Sequence, residues 1–380
     1  MKFTKVAAVA AALGIAMAGV AVAAPANAEP VSNSYTLVGS DTLQDVVNAL
    51  TNGTDVTGAR VRVTANNQTV GSFDAFGSSA IQAKPGGQFF GRPSGSGQGL
   101  NALSASISGN TYTGNAAIPK KDITGQVDIA RSSSGWGNNE DTTNGKLAYI
   151  PFGRDAVGFA YKGGTSAWAH LTLDQIKGVY AGTITSIDGV AVKPILPQTS
   201  SGTRKFFLKA LTGSETGATP GVSAGTERGQ YSNTATAEND GTVLQAGEII
   251  PFSVANWVAQ SNGATGVNTT ANASFGGAQG STDPFTVADG KLVPNSAYYS
   301  DATFGRDTYL IVERARITQG NAKYDAALAN LVKPGTSGVA SSLAGFNTNL
   351  ATQPGAVKQV FGFLPPSSYV VHYAYATLPY

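Results

Sequence analysis

Four times along the chain a strand-like run breaks into a turn of glycine, serine, threonine and aspartate: "GSDTLQDV" (39–46), "RPSGSGQGL" (92–100), "ARSSSGW" (130–136) and "TSSGTRKF" (199–206). Each turn lies between a strand-like segment and what reads as a helix, and that repetition restricts the chain to architectures in which strands and helices alternate. A single serine or aspartate ahead of a helix is ordinary N-capping. Four such turns, each with more hydroxyls than one cap uses, ask for a further explanation. The first turn of a helix leaves backbone N–H groups without partners and carries about half a positive charge. Hydroxyls that both donate and accept, placed around it, make a receptor for a phosphate-like anion. Gly95, Gly97 and Gly202 let backbone approach such a ligand closely.

The segments around these turns carry the periodicities expected of an α/β sheet, largely parallel. "SYTLVGS", "ARVRVTA", "VDIARS", "DAVGFAYK", "VKPILPQ" and "DTYLIVERAR" read as strands. "DTLQDVVNAL", with Leu43, Val46, Val47 and Leu50 on one face, reads as a helix, as do "GQGLNALSASI" and "TLDQIKGVYAG" with its Thr172/Asp174 start. Phe206, Phe207, Ala210 and Leu211 give "SSGTRKFFLKAL" an apolar face, and Gly213 stops it. Residues 261–281 read as loop, and "AKYDAALANLV" and "GVASSLAGFNTNL" as helical. One internal echo, "FGRDAVGFAY" from Phe152 and "FGRDTYLIV" from Phe304, fits two strands that pass one inter-lobe boundary in opposite directions.

Composition narrows the function. Residues 1–28, with Lys2 and Lys5 before an Ala/Val-rich run and "APANA", read as a secretory signal cut after Ala28. Removing 28 of 380 residues leaves 352, enough for two lobes, expected to be soluble and extracytoplasmic. With no cysteine the fold rests on its core alone, and there is no lipobox cysteine for a lipid tether. The leader takes two of the 25 Lys and Arg, leaving 23 against 23 Asp and Glu; a neutral chain is a poor nucleic-acid partner. His170 and His372 are the only histidines, and zinc disfavours a carboxylate-only site. "SGSGQG" lacks the dinucleotide spacing, and Ser201 is followed three residues later by Arg204 rather than lysine. These features argue against an enzyme, a cofactor and a metal.

In order, "GSDTL", "SGSGQG", "DIARSSS", "LTLDQIKGVYAGTI", "SSGTRKFFLKAL" and "ENDGTVLQAGEIIPFSV" resemble the phosphate-binding receptors of the high-affinity phosphate ABC importer. The chain is especially similar to actinobacterial exported members that carry "GSDT" and "RPxGSG". The resemblance runs from about Gly39 to Pro365 and implies the type II periplasmic-binding-protein fold, an α/β fold of two lobes joined by two crossing strands with the ligand cleft between them. On that basis residues 29–161 and 261–380 form the first lobe and its tail, and 162–260 the inserted second lobe. The implied anion contacts are Ser40, Asp41, Thr42, Leu43, Ser96, Arg131, Ser132, Ser133, Ser201, Gly202 and Thr203. The implied partners are phosphate or a related tetrahedral oxyanion and an ABC permease, the receptor itself being a monomer.

Two departures stand out. Ser132 replaces the usual aspartate that accepts the proton of hydrogen phosphate, a role for which Asp41 is the substitute on hand. Pro197 replaces the usual arginine, leaving Arg131, Arg92 or Arg204 to supply that charge. The competing reading is an exported surface or adhesive protein that keeps the fold without transport, suggested by the missing lipobox, the Gly/Asn-rich insertions and the aromatic tail "SSYVVHYAYATLPY".

Overall fold

Alternation along the first strand decides the architecture. In a computed structural model that describes residues 34–114, 117–222, 237–336 and 342–375, β1 (Tyr35–Gly39) sends Tyr35 and Leu37 into one apolar core and Val38 into another. A strand buried on both faces needs helices on both sides. α1 (Gln44–Asn52) covers the first face with Val46, Val47 and Leu50, and α2 (Ser96–Ser108) covers the second with Ala102, Leu103 and Ala105. Each large apolar side chain so buried contributes roughly 1.5–3 kcal/mol. Where α2 crosses the sheet the packing is backbone to backbone: a Cβ on Gly99 would lie 2.5 Å from the Gly39 Cα.

The remaining central strands are β2 (Val70–Ser72), β3 (Ile129–Ser132), β4 (Leu147–Tyr161), β5 (Lys193–Pro194), β6 (Glu248–Ser253), β7 (Ser274–Gly276), β8 (Gly305–Glu313) and β9 (His372–Ala374). Their order is β5-β6-β4-β8-β3-β1-β2, with β7 and β9 also pairing with β4. β1 runs parallel to β2 and β3, and β5 to β6, whereas every pairing made by β4 or β8 is antiparallel. The sheet is therefore mixed rather than largely parallel, because β4 leaves the first lobe as one long strand and β8 returns beside it.

Fifteen residues long, β4 is shared between the two lobes. Its first half pairs with β8 and β9 and packs Ala148, Ile150 and Phe152 into the first-lobe core. Its second half pairs with β6 and β7 and packs Val157, Phe159 and Tyr161 into a separate core with α3 (Leu173–Ala181) and α4 (Gly202–Thr212). β7 joins this half although it lies beyond residue 260, inside the stretch read as loop. α5 (Val254–Ser261) follows β6 and divides its residues between the cores, Ala255 and Ala259 to the first, Val254 and Val258 to the second.

The echoed "FGRD" segments meet at this crossing. β8 pairs with β4 so that Arg306 faces Asp155 and Asp307 faces Arg154, and both form ion pairs, at 2.8 and 3.2 Å. Arg followed by Asp on two antiparallel strands gives this reciprocal pairing when the register is centred between them. The Arg306–Asp155 pair is buried, and Arg306 and Asp307 both line the cleft; Arg154 and Asp307 also bond Tyr299 and Ser367.

Other expectations shift. "ARVRVTA" keeps its alternating burial, with Val61, Val63 and Ala65 inside, yet makes only isolated bridges, Thr54 to Val61 and Ala65 to Gln68; the place beside β1 goes to β2. The third hydroxyl turn is not followed by a helix, since Gly135, Gly137, Asn138 and Asn139 offer no apolar face. "VKPILPQ" forms strand only at β5. Of the helix expected at 338–350, residues 338–341 lie outside the described residues and 342–350 form turns, held by the Ser342 hydroxyl on Leu331 and Lys333 carbonyls. The signal segment 1–28 also lies outside the described residues.

Candidate functional site

All four hydroxyl turns arrive at one place, the seam between the lobes. Ser40 Oγ donates to Ser133 Oγ at 3.1 Å, and Ser96 Oγ lies 3.3 Å from the same atom while accepting from the Ser133 N–H at 3.0 Å. Thr42 Oγ1 and Thr203 Oγ1 are 3.4 Å apart across the seam. Ser40, Thr42, Ser96, Ser133 and Thr203 are all buried. The hydroxyls of the first two turns are not spent on capping: α1 starts after Leu43 and α2 after Gly95, neither with a side-chain cap bond. Glycine serves lobe contact here, because a Cβ on Gly95 would come 2.8 Å from the Ser200 carbonyl oxygen, which itself accepts from Gly97 N–H at 3.0 Å. A Cβ on Gly202 would overlap the hydroxyls of both Ser96 and Ser133.

The arginine of this cluster is Arg306. Asp155 holds it through Nε at 3.1 Å and Nη2 at 2.8 Å, and Nη2 also donates to Thr203 Oγ1 at 2.9 Å. Its Nη1 is buried without a partner. Asp155 is fixed in turn by the Ala255 N–H at the start of α5. A guanidinium clamped on one edge by a carboxylate offers its remaining edge to an oxyanion. The three arginines considered from the sequence are occupied elsewhere. Arg131 is fully buried but spends its guanidinium on the Ser40 carbonyl, the Ser72 hydroxyl and the Phe73 carbonyl, and burial pushes its pKa down to about 10. Arg92 bonds the Asp74 and Ser78 carbonyls, and Arg204 the Pro197 carbonyl.

Several other expected residues stand at the edge of the cluster. Leu43 belongs to the core, and the Ser132 hydroxyl bonds the Ser134 carbonyl at 2.7 Å. Ser201 caps α4 by accepting from Arg204 N–H and donates to Glu238, so both roles of its hydroxyl are taken. Asp41 faces Glu238 across the seam: burial first, then the Glu238 carboxylate, hold its pKa well above the ordinary carboxylate range. A carboxyl that keeps its proton is a donor and does not offer the bare acceptor expected of Asp41. Asn239 Nδ2 donates to Asp41 at 3.1 Å, and Asn256 Nδ2 to the Thr42 carbonyl at 2.9 Å. Glu238 and Asn239 sit in "ENDG", where the sequence showed a motif but assigned no chemistry.

The two sides of the cluster differ in charge. On one side lies a cavity of about 360 Å³ walled by Asp41, Asp45, Asp74, Glu238 and Asp240, with no lysine or arginine in its lining among the described residues. There burial, with the Asp74 charge as the lesser cause, pushes the Asp45 pKa up to about 6. The folded chain thus binds more protons than the unfolded chain between about pH 4 and 6, so stability falls as pH rises through that window. Urea midpoints measured from pH 4 to 8 are expected to fall across it, and Asp45→Asn to flatten the fall. On the other side Ser133 and Arg306 open onto the cleft mouth, where Lys205 and Lys209 stand. An anion is repelled from the first side, whereas on the second Lys205, Lys209 and Arg306 stand with Glu215 and Asp307.

Hydroxyl groups and a half-free guanidinium, all buried, suit a tetrahedral oxyanion. Neither histidine is near: His170 pairs with Asp283 and His372 stacks on Trp136. Among the described residues no group of three or more His, Asp or Glu is placed to hold a metal ion, and no helix is long and apolar enough to cross a membrane.

A family model described as a PBP superfamily domain matches residues 24–330. Among solved structures the chain is similar to an ABC-type phosphate transport receptor from Vibrio cholerae, at 14% identity over 88% of this chain and 100% of that one, TM-score 0.45. It is also similar to a phosphate-binding protein from Stenotrophomonas maltophilia, at 15% identity over 89% and 92%, TM-score 0.47. A human phosphate binding apolipoprotein gives 16% identity over 88% and 92%, TM-score 0.48. No curated protein matches the chain.

Proposed function

The chain belongs to the PBP superfamily, and from that premise we propose that it is a non-catalytic extracytoplasmic receptor that captures phosphate, or a related tetrahedral oxyanion, for an ABC importer. The observation that carries this reading is the meeting of the Ser40, Thr42, Ser96, Ser133 and Thr203 hydroxyls with the unpartnered Nη1 of Arg306. An oxyanion entering this cradle exchanges hydroxyl-to-hydroxyl contacts for charge-assisted hydrogen bonds, which are roughly twice as strong as neutral ones. Thr42, Ser40, Ser96 and Ser133 come from the first lobe and Thr203 from the second, so one ion ties both and holds the cleft shut.

Calorimetric titration of the mature chain, freed of anion by unfolding and refolding, tests the proposal. Phosphate is expected to bind, and Thr203→Val with Ser133→Ala to weaken it by about 100-fold, as for loss of two hydrogen bonds to a charged group. A chain that refolds with its full secondary structure and gives no heat with phosphate belongs instead to the surface-protein reading.

A further inference from the structure

The cradle opens at the cleft mouth into a groove of about 600 Å³, and Ser133 and Arg306 belong to both. Its floor is the Ser133–Gly137 loop with Tyr309, and its far wall is α4 with Phe206 and Lys209. Trp136 stands at a steep angle to Tyr309 at 5.7 Å and to Tyr149 at 6.0 Å, and one of its faces stacks on His372 at 3.8 Å. Phe206 lies 5.6 Å from the Arg306 guanidinium carbon. A bare phosphate ion is satisfied inside the cradle and has no use for aromatic rings or a lysine outside it. A groove of this size falls within the range of small-molecule sites, roughly 300–1,000 Å³. Its lining carries Lys209 and Arg306 beside Glu215 and Asp307, whereas the opposite side is walled by carboxylates with no lysine or arginine among the described residues.

We propose that the preferred ligand is a phosphate monoester of a ring-bearing alcohol, a sugar or a nucleoside, with its phosphoryl group in the cradle and its ring between Trp136 and Phe206. This rests on the oxyanion-receptor reading and narrows it. The ester oxygen leaves the cradle between Ser133 and Arg306, the two groups that face both spaces. Ring stacking on aromatic side chains supplies the added affinity, and Lys209 meets polar groups of the organic part.

The test is calorimetry on the intact mature chain with inorganic phosphate, methyl phosphate, a sugar monophosphate and a nucleoside monophosphate. At least one of the two ring-bearing esters is expected to bind about tenfold or more tighter than methyl phosphate, and which one identifies the source. Trp136→Ala is expected to bring that ratio to about one. Lys209→Ala, at an exposed position where folding is not at stake, is expected to reduce it. Equal binding of all three esters, or binding of inorganic phosphate with exclusion of the esters, overturns the inference and leaves the phosphate receptor standing. Failure of inorganic phosphate and all esters to bind overturns both.

Discussion

Arg306→Met is expected to weaken phosphate binding by at least about 100-fold, the scale for removing one partner of a buried, hydrogen-bonded charge pair. The same change should lower stability by about 3–5 kcal/mol, because Asp155 loses its charge partner in a fully buried position. These two losses separate in a double variant. With Arg306→Met and Asp155→Leu together, the buried charge is gone and urea unfolding should return to near the wild-type midpoint, since apolar replacement of a whole buried pair is often neutral. Phosphate binding should not return. Recovery of both would show that Arg306 acts only through the fold.

The second large effect is expected at Gly202. Alanine is the better helix former by about 1 kcal/mol, so α4 should be no less stable in Gly202→Ala. The added Cβ nevertheless lands on the hydroxyls of Ser96 and Ser133, which belong to the other lobe. The lobes then cannot reach the same separation. Affinity for phosphate should fall by about 100-fold or more with unchanged far-ultraviolet circular dichroism, because Thr203 is carried away from Thr42 and with it the second half of the cradle. Small-angle scattering with saturating phosphate should give a larger radius of gyration than wild type. Wild-type affinity in this variant would mean that Gly202 does not lie at the closing seam.

How much of this was legible in the sequence depended on whether the chemistry was local. Hydroxyl-rich turns announce themselves within eight residues, and all four converge, although the third precedes no helix. The Thr172 cap of α3 was readable for the same reason, its side chain accepting from the Gln175 N–H three residues on. Arg131 shows the opposite case. It stands two residues before Ser133, but its guanidinium is spent on Ser40, Ser72 and Phe73, partners 91, 59 and 58 residues away that no local pattern announces.

Arg306 was out of reach of local reasoning, because nothing near it in sequence resembles a binding turn. Its signal was the "FGRD" echo, which suggested two crossing strands but whose charges were not paired. Two Arg-Asp dipeptides on antiparallel neighbours have a register that satisfies all four charges, and the structure adopts it. Glu238 and Asn239 were equally hidden, since their partners Ser201 and Asp41 lie 37 and 198 residues away. The parallel sheet was over-expected because periodicity reports burial and not strand direction.

The central claim is that one oxyanion is held jointly by turns from both lobes and by Arg306. A crystal structure of the mature chain grown with phosphate tests it most directly. It is expected to show a tetrahedral ion within about 3 Å of the Thr42, Ser133 and Thr203 hydroxyls and of Arg306 Nη1. An ion bound anywhere else, or a phosphate-saturated crystal in which these groups still bond only to one another, would contradict it.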